Sequence, residues 1–568
     1  MKKNVKKWLN LSFILLLTAA IAACSNGKAV ETASPEAAAT AAPGTTAPEA
    51  TPVAAVETAK PDPNAKYEPA IEITTVRNQE PSDKFKEGES LDNNVWTKAY
   101  ESELGIKVKN LWVVTGAQYE QKLNLSIAAN DLPDFFRVNA KQFRQLVAED
   151  KLEDLTGLVN DYGSAQTKEM IDRGVNAKLA ASEKGKLMAI PHAEDYYGGA
   201  NLLYVRTDWL KKLNLPEPKT MDDFLKIANA FTTQDPDGNK KNDTYGLAAS
   251  KDILGGYPDL SGFMNGYHAY MKIWVKDAAG KLVYGSVQPE MKTALAKLQE
   301  LYKAGVIDKE FGIKDGGKAA ELQVAGKVGM SFGAMWNPLW PLQDGVTKDL
   351  TAEWTAYPIP SADGTPANVQ TDANFDEFWV VKKGAKNPEA IVKMFNFYNE
   401  KIDGDKAQPD IYQTSGGIEV FKYALMSGGY GTTKGLLAIH KSVVDALQSK
   451  DASKLNPEGK GYYDKILLFQ GGDRTNWGTN KVFGDGGSWA VIGQYYDQNK
   501  QLTKNEFFGP LTTTMTEKNA ILEKLTLETF AKIILGAPIT EFDKYVESWN
   551  KLGGEQITKE ANEWYANK

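Results

Sequence analysis

The chain has 568 residues and a formal net charge of −7, which becomes more negative once its lysine-rich first 24 residues are set aside; an acidic protein of this kind is not built to bind nucleic acid. Thirteen Trp and 24 Tyr stand against three His (His192, His268 and His440), a balance that favours stacking surfaces over histidine-based catalysis. No fixed-period repeat occurs, and charges alternate in sign without forming a tail.

The first residues, "MKKNVKKWLNLSFILLLTAAIAAC", place Lys2, Lys3, Lys6 and Lys7 before an apolar run from Leu9 to Ala20. A charged start, a short apolar stretch and small residues before a cleavage point make a secretory signal over residues 1–23. The tetrapeptide Ile21-Ala22-Ala23-Cys24 resembles a bacterial lipobox, so Cys24, the single cysteine of the chain, is expected to carry the lipid and to begin the mature protein. The alternative is an uncleaved anchor with an incidental cysteine. From 24 to 66 the chain is nearly all Ala, Thr, Pro and Glu, which cannot form a core and reads as a disordered spacer.

About 500 residues follow, more than one hydrophobic core usually organises, so two domains are expected. Strands are predicted at "AIEITTVRN" (Ala70–Asn78), "IKVKNLWVVT" (Ile106–Thr115) and "LPDFFRV", with helices at "YEQKLNLSIAAN" and "KQFRQLVAED" between and after them. Alternation of this kind calls for a parallel sheet covered by helices, with ligands beyond the carboxyl ends of its strands. A second α/β block begins after "GKLMAIP" (Gly185–Pro191), and a β-rich stretch returns near Tyr357–Lys383. The last third is helical by periodicity. The expected division is therefore lobe 1 over 67–192, lobe 2 over 193–356, a return to lobe 1 over 357–400, and a helix-rich segment, mainly lobe 2, over 401–568. A chain that crosses more than once between lobes makes a hinge and a cleft suited to a small molecule.

The ordered series "ANDLPDFF", "GKLMAIP", "LLYVRTDWLKKLNL", "LYKAGVIDKEF", "GAMWNPLWPL", "FFGPLTTTM" and "TFAKIILGAPITEFDKYVESWNKLGG" resembles extracellular solute-binding proteins of family 1, the lipoproteins that feed carbohydrate ABC importers in Gram-positive bacteria. It is similar to the LplA/LipO-like members and to the alginate-oligosaccharide-binding proteins, across nearly the whole mature chain. The resemblance implies an α/β, two-lobed periplasmic-binding-protein-like fold (type II, sugar-binding cluster) with a hinge and an inter-lobe cleft. It also implies an oligosaccharide ligand, ABC transporter permease subunits as partners, a monomer tethered to the outer face of the cell membrane, and no active site.

The loop "DPDGNKKNDTYG" sets Asp235, Asp237, Asn239, Lys241 and Asp243 at positions 1, 3, 5, 7 and 9 of an EF-hand-like spacing, with a backbone carbonyl expected to serve at Lys241. Gly246 stands where an EF-hand has a bidentate Glu, and the bland reading is a solvated turn. In the alginate-binding relatives a similar loop holds a structural calcium with a further ligand just after the ninth position, here Thr244. Structural Ca2+ is the cofactor expected.

"GMSFG" (Gly329–Gly333) satisfies the nucleophile-elbow pattern, but helix and turn precede it, Val328, Met330 and Phe332 alternate as the inward face of a strand, and only His440 follows. Sugar sites pair aromatic platforms with polar side chains. Trp336 follows a strand end, in the place where sugar-binding relatives stack a ring, and Asn337 is beside it; either it or Trp340 can be core, the latter reading being favoured for Trp340. Further strand-end candidates are Arg77, Asn139, Glu194, Tyr196, Tyr197, Asn374 and Glu377, and Trp477 and Trp489 in a Gly-rich stretch offer a second platform. Each polar candidate is equally readable as a cap or turn residue. The reading is a lipid-anchored receptor that captures an oligosaccharide for import; the alternatives are a surface-anchored polysaccharide hydrolase or lyase, and a receptor serving a membrane sensor.

Overall fold

A computed structural model describes residues 62–566, apart from 64, 81–82, 174, 193–196, 198, 254, 372–376, 403–405, 427–434 and 510. Cys24, Glu194, Tyr196 and Asn374 lie outside the described residues. The chain enters the fold at Tyr67, whose ring lies 4.6 Å from the Lys393 ammonium, while that ammonium donates to the Ala65 carbonyl at 2.7 Å.

Strand β1 (Ile71–Asn78) pairs in parallel with β2 (Ile106–Val114), Ile71 opposite Ile106. Helix α1 (Gly116–Ala128) leads to β3 (Phe135–Asn139) and α2 (Ala140–Ala148), which Asn139 caps by accepting from Gln142 N at 2.9 Å. A short β4 (Ile190–Pro191) closes this first pass. The chain then builds a second sheet from β5 (Leu202–Arg206), β6 (Tyr245–Leu247), β7 (Val328–Gly333) and β8 (Trp354–Tyr357), in the order β8, β5, β7, β6. Helix α3 (Met221–Thr233) precedes β6, and Thr220 caps it through a reciprocal pair with Asp223. Strand β9 (Val369–Thr371) pairs with a later segment, and β10 (Glu377–Val381) returns to lie antiparallel between β3 and β4.

The prediction of parallel sheets is corrected by these pairings. Strand β1 with β2 and β6 with β7 are parallel, but β10, arriving from the other lobe, runs against both its neighbours, and β5 runs against β7 and β8.

Among the described residues two separate hydrophobic cores form. One collects Ile73 to Ile190 and Phe378 to Met426; the other collects Ala200 to Val369 and Ile439 to Ala561. The chain therefore passes between them three times, between 190 and 200, between 371 and 377, and between 426 and 439. The return falls later than composition indicated, because Tyr357 ends a strand of the second sheet and Ile359, Ala367 and Val369 are buried in the second core. Likewise Tyr412 and Val420 to Met426 belong with the first core, so the helix-rich third begins with a lobe 1 segment.

Candidate functional site

In lobe 1 the carboxyl ends of β1 and β3 and the start of β10 meet at one edge, because Glu377 lies opposite Asn139 in the antiparallel register. Arg137 organises that edge. Its guanidinium donates to Glu377 Oε2 at 2.9 Å and to Asn78 Oδ1 at 3.1 Å, and stands 5.8 Å from the Tyr119 ring, whose hydroxyl donates to the Arg137 carbonyl at 2.9 Å. Tyr119 in turn packs on Trp112 with centroids 5.5 Å apart. Arg137 was not among the sequence candidates; a lone cation in the otherwise apolar "FFRV" was the available signal. A guanidinium fork held by a carboxylate and an amide is well shaped to share hydrogen bonds with vicinal hydroxyls.

Arg77 does not join this edge. Its guanidinium donates to the carbonyls of Tyr423 at 2.8 Å, Lys422 at 3.1 Å and Ala424 at 3.1 Å, so it stitches β1 to the lobe 1 segment around 422–424. Burial pulls its pKa below the ordinary arginine value. Asn139 spends its oxygen on the α2 cap and its amide nitrogen on Glu120 at 2.7 Å. Both are structural residues in this fold, since backbone groups and a neighbouring carboxylate already take their hydrogen-bonding capacity.

In lobe 2 the chain leaves β7 through a turn that presents Trp336, 36% exposed, and Trp340, 42% exposed. The two indoles lie 6.3 Å apart at 27°, and Tyr257 packs beneath both at 6.1 and 5.2 Å. Trp340, expected in the core, is thus part of the same open aromatic group. Asn337 is the reverse: it is fully buried, and neither of its amide atoms has a hydrogen-bond partner among the described residues. Its amide lies so close to Gly333 that a Cβ there would meet Nδ2 at 2.0 Å.

Trp477 and Trp489 are also fully buried, in the second core. The glycines around them serve chain packing: a Cβ at Gly478 would meet the Pro338 carbonyl at 2.5 Å, and one at Gly487 the Lys481 carbonyl at 2.8 Å. These two indoles therefore form no second platform for a ligand. Tyr197 donates its hydroxyl to Asp497 at 3.0 Å.

The nucleophile-elbow pattern dissolves on the same grounds. All six residues of β7 are buried, not alternate ones, and Ser331 accepts from Gln323 Nε2 at 3.0 Å inside the core. A Cβ at Gly329 would strike the Phe231 ring at 2.1 Å. His440 is itself buried, with Nδ1 3.0 Å from the Phe483 carbonyl.

The acidic loop lies between α3 and β6. The Lys327 ammonium approaches Asp237 at 3.0 Å and Asp243 at 2.8 Å, and Asn239 Nδ2 donates to the same two carboxylates at 2.7 and 2.9 Å. The hydrogen bond from Lys327 holds the Asp243 carboxyl below its usual range. Asp235 Oδ1 is buried without a partner among the described residues. Among those residues no group of three or more His, Cys, Asp or Glu is gathered to hold a metal. Two of the carboxylates already share the positive charge of Lys327, the kind of charge a hard cation carries. Thr244 does not fit, because its buried hydroxyl donates to the Phe231 carbonyl at 2.7 Å and faces the helix.

No helix among the described residues is long and apolar enough to cross a membrane. Residues 82–402 match the family described as bacterial extracellular solute-binding protein. Lipoprotein LipO of Bacillus subtilis (strain 168) is 26% identical over 84% of this chain and 89% of its own length. The polygalacturonan/rhamnogalacturonan-binding protein YtcQ of the same organism is 24% identical over 89% of this chain and 92% of its length. Among solved structures, an EF-hand mutant of the S. pneumoniae ABC-transporter substrate binding protein FusA in complex with fructo-nystose superposes with a TM-score of 0.63 at 18% identity, covering 88% of this chain and 100% of that one. The two cores are the lobes of the fold these proteins share.

Proposed function

The chain belongs to the bacterial extracellular solute-binding proteins, binding proteins and not enzymes, and on that premise we propose that it is a lipid-anchored receptor that captures an oligosaccharide between its lobes and delivers it to the permease subunits of an ABC importer. The observation that carries the reading is the open aromatic group of Trp336, Trp340 and Tyr257 at the carboxyl end of β7. Indole faces stack on the apolar C–H faces of sugar rings, as they do on other flat ligands. The Arg137, Glu377 and Asn78 edge of the other lobe supplies donors and acceptors for ring hydroxyls. Affinity comes from stacking and hydrogen bonds, and closure removes both from water; no bond is made or broken. Support for a carbohydrate comes from YtcQ and FusA, whose names and bound ligand are of that class.

The test is a thermal-shift screen of the mature protein against a panel of oligosaccharides, since a ligand that binds the native state alone raises the melting temperature. A hit that is recovered unchanged supports the receptor; silence across neutral and acidic sugars, with shifts from amino acids or peptides, refutes the ligand class. Anchoring rests on Cys24, so Cys24→Ala should release the protein to the medium or leave an uncleaved precursor.

A structural calcium ion in the Asp235–Asp243 loop belongs to the same reading. The carboxylates of Asp235, Asp237 and Asp243, the Asn239 amide oxygen and the Lys241 carbonyl would hold it, and it would clip α3 to β6. Asp237→Ala should abolish any effect of chelation on the melting curve.

A further inference from the structure

The Arg137 guanidinium of lobe 1 stands among carboxylates. Glu377 meets its charge directly, Nη1 donating to Oε2 at 2.9 Å, and Asn78 Oδ1 takes a second N–H at 3.1 Å, which leaves further donors on the fork. Glu80 lies beside the same Asn78: its Oε1 accepts from Gly116 N at 2.7 Å, and a Cβ added to Gly116 would meet both that oxygen and Asn78 Nδ2. Glu120 accepts from Asn139 Nδ2 at 2.7 Å, and Asn139 is the register partner of Glu377. A second cation, Lys122, stands over the Trp112 ring at 5.0 Å and is linked to Arg137 through the contact of Trp112 with Tyr119. In lobe 2, Asp259 is fixed at the carboxyl end of β7, because its N–H donates to the Phe332 carbonyl at 3.3 Å, and Tyr257, two residues before it, is the ring beneath both indoles. The partly buried Asp259 carboxylate accepts from Asn201 Nδ2 at 2.9 Å and from Ser261 N at 2.8 Å, one donor to each oxygen. Both donors are neutral, so the negative charge stays, and each oxygen keeps a lone pair for a hydroxyl.

We propose that the site takes a neutral oligosaccharide and turns away uronic acids, with Glu377 of lobe 1 and Asp259 of lobe 2 as the carboxylates that set this specificity. The inference rests on the oligosaccharide reading above and narrows its ligand class. Vicinal hydroxyls of a neutral sugar donate to carboxylate oxygens and accept from the guanidinium fork, so they use both kinds of group at once. A uronate puts an anion where such a sugar has a hydroxyl. That anion can only accept, it finds the Arg137 charge already matched by Glu377, and it meets Asp259, Glu80 and Glu120 with the same sign. Repulsion between unit charges a few ångströms apart, in surroundings between protein and water, weakens binding by roughly 10- to 100-fold.

Calorimetric titration of the mature protein with matched trimers tests the proposal: galactotriose and trigalacturonate, mannotriose and trimannuronate, cellotriose and its glucuronate counterpart, each at low and at high salt, on wild type, Asp259→Asn and Glu377→Gln. In any series that binds, the neutral trimer should bind wild type roughly 10- to 100-fold more tightly than its acid, and the gap should shrink in high salt as the charges are screened. Asp259→Asn and Glu377→Gln, which keep the shape and remove the charge, should each narrow the gap, whereas a merely structural loss lowers both members of a pair alike. An acid that binds wild type as tightly as its neutral partner, or more tightly, overturns the inference and leaves the receptor reading standing. A gap unchanged in both variants overturns the assignment to these two carboxylates. Silence from every trimer overturns the oligosaccharide reading and this inference with it. The comparison on wild type needs no variant, so it decides the ligand class even where Asp259→Asn, by disturbing the bonds to Asn201 and Ser261, folds poorly.

Discussion

Replacing Trp336 by alanine tests whether the exposed aromatic group of lobe 2 faces a ligand or belongs with the core. The side chain is 36% exposed, so about two thirds of the burial of a large aromatic is at stake, on the order of 1–2 kcal/mol of stability. Part of that is its ring contact with Trp340 at 6.3 Å and with Tyr257 at 6.1 Å. A fully buried tryptophan would cost about 3–5 kcal/mol when truncated. The ligand-free melting temperature of Trp336→Ala should therefore fall by only a few degrees, roughly 2–4 °C per kcal/mol even in a much smaller domain. Binding should suffer more. Loss of a stacked ring is commonly worth about 1–3 kcal/mol, or roughly a 5- to 150-fold rise in Kd. Calorimetric titration with the oligosaccharide that the screen identifies, set beside the melting curve of the unliganded variant, reads both quantities. An affinity within twofold of wild type would refute the assignment, whatever the melting curve does. Trp340→Ala should act in the same direction, and because the rings touch, the double variant should lose less than the sum of the two.

Trp489→Ala and Trp477→Ala should behave in the opposite way, destabilising by about 3–5 kcal/mol in urea titrations because both side chains are fully buried in the second core, while protein that remains folded binds its ligand normally. Glu377→Gln should weaken oligosaccharide binding with little loss of stability, since the Arg137–Glu377 pair is 30% and 39% exposed and such pairs contribute about 0–1 kcal/mol; a ligand titration paired with a melting curve reads the two effects. Stability should fall as pH drops below the unfolded histidine value of about 6.5, because burial pulls the His440 pKa down and the unfolded chain then binds a proton that the folded one refuses. His440→Asn should flatten that slope in melting curves taken between about pH 7 and 5, and an unchanged slope would assign it elsewhere.

Periodicity and strand-end logic located much of this fold. The strands Ile71–Asn78 and Ile106–Val114 and the helices flanking Phe135–Asn139 fall within a few residues of their predicted places, because an apolar alternation or a 3.6-residue stripe records burial directly. Strand direction was not legible, since pairing of β10 with β3 is decided by a chain that has travelled through another lobe. Among the site candidates, Trp336 emerges at the surface as expected, yet its neighbour Asn337 is buried and Trp340 is open, an inversion produced by the turn after β7 and invisible to a one-residue offset. Asn139 and Arg77 show why strand-end polar residues mislead: the helix N-terminus and the chain carbonyls nearby demand partners as strongly as a ligand does. The glycines around Trp477 and Trp489 look like a ligand approach because close contact between two chain segments requires the same residue.

Three passages between the cores have a thermodynamic consequence for capture. A ligand that bridges two lobes joined by one flexible link has to immobilise one lobe against the other, and that ordering is subtracted from its affinity. Here three covalent passages hold the aromatic group of one lobe and the Arg137 edge of the other within one chain and narrow the ways they can move apart. On the proposed reading the two half-sites would meet at an effective concentration set by the fold and not by diffusion. A sugar seated on the indoles would, on that reading, complete its contacts by a restricted motion, so that weak individual hydrogen bonds would add up to useful retention.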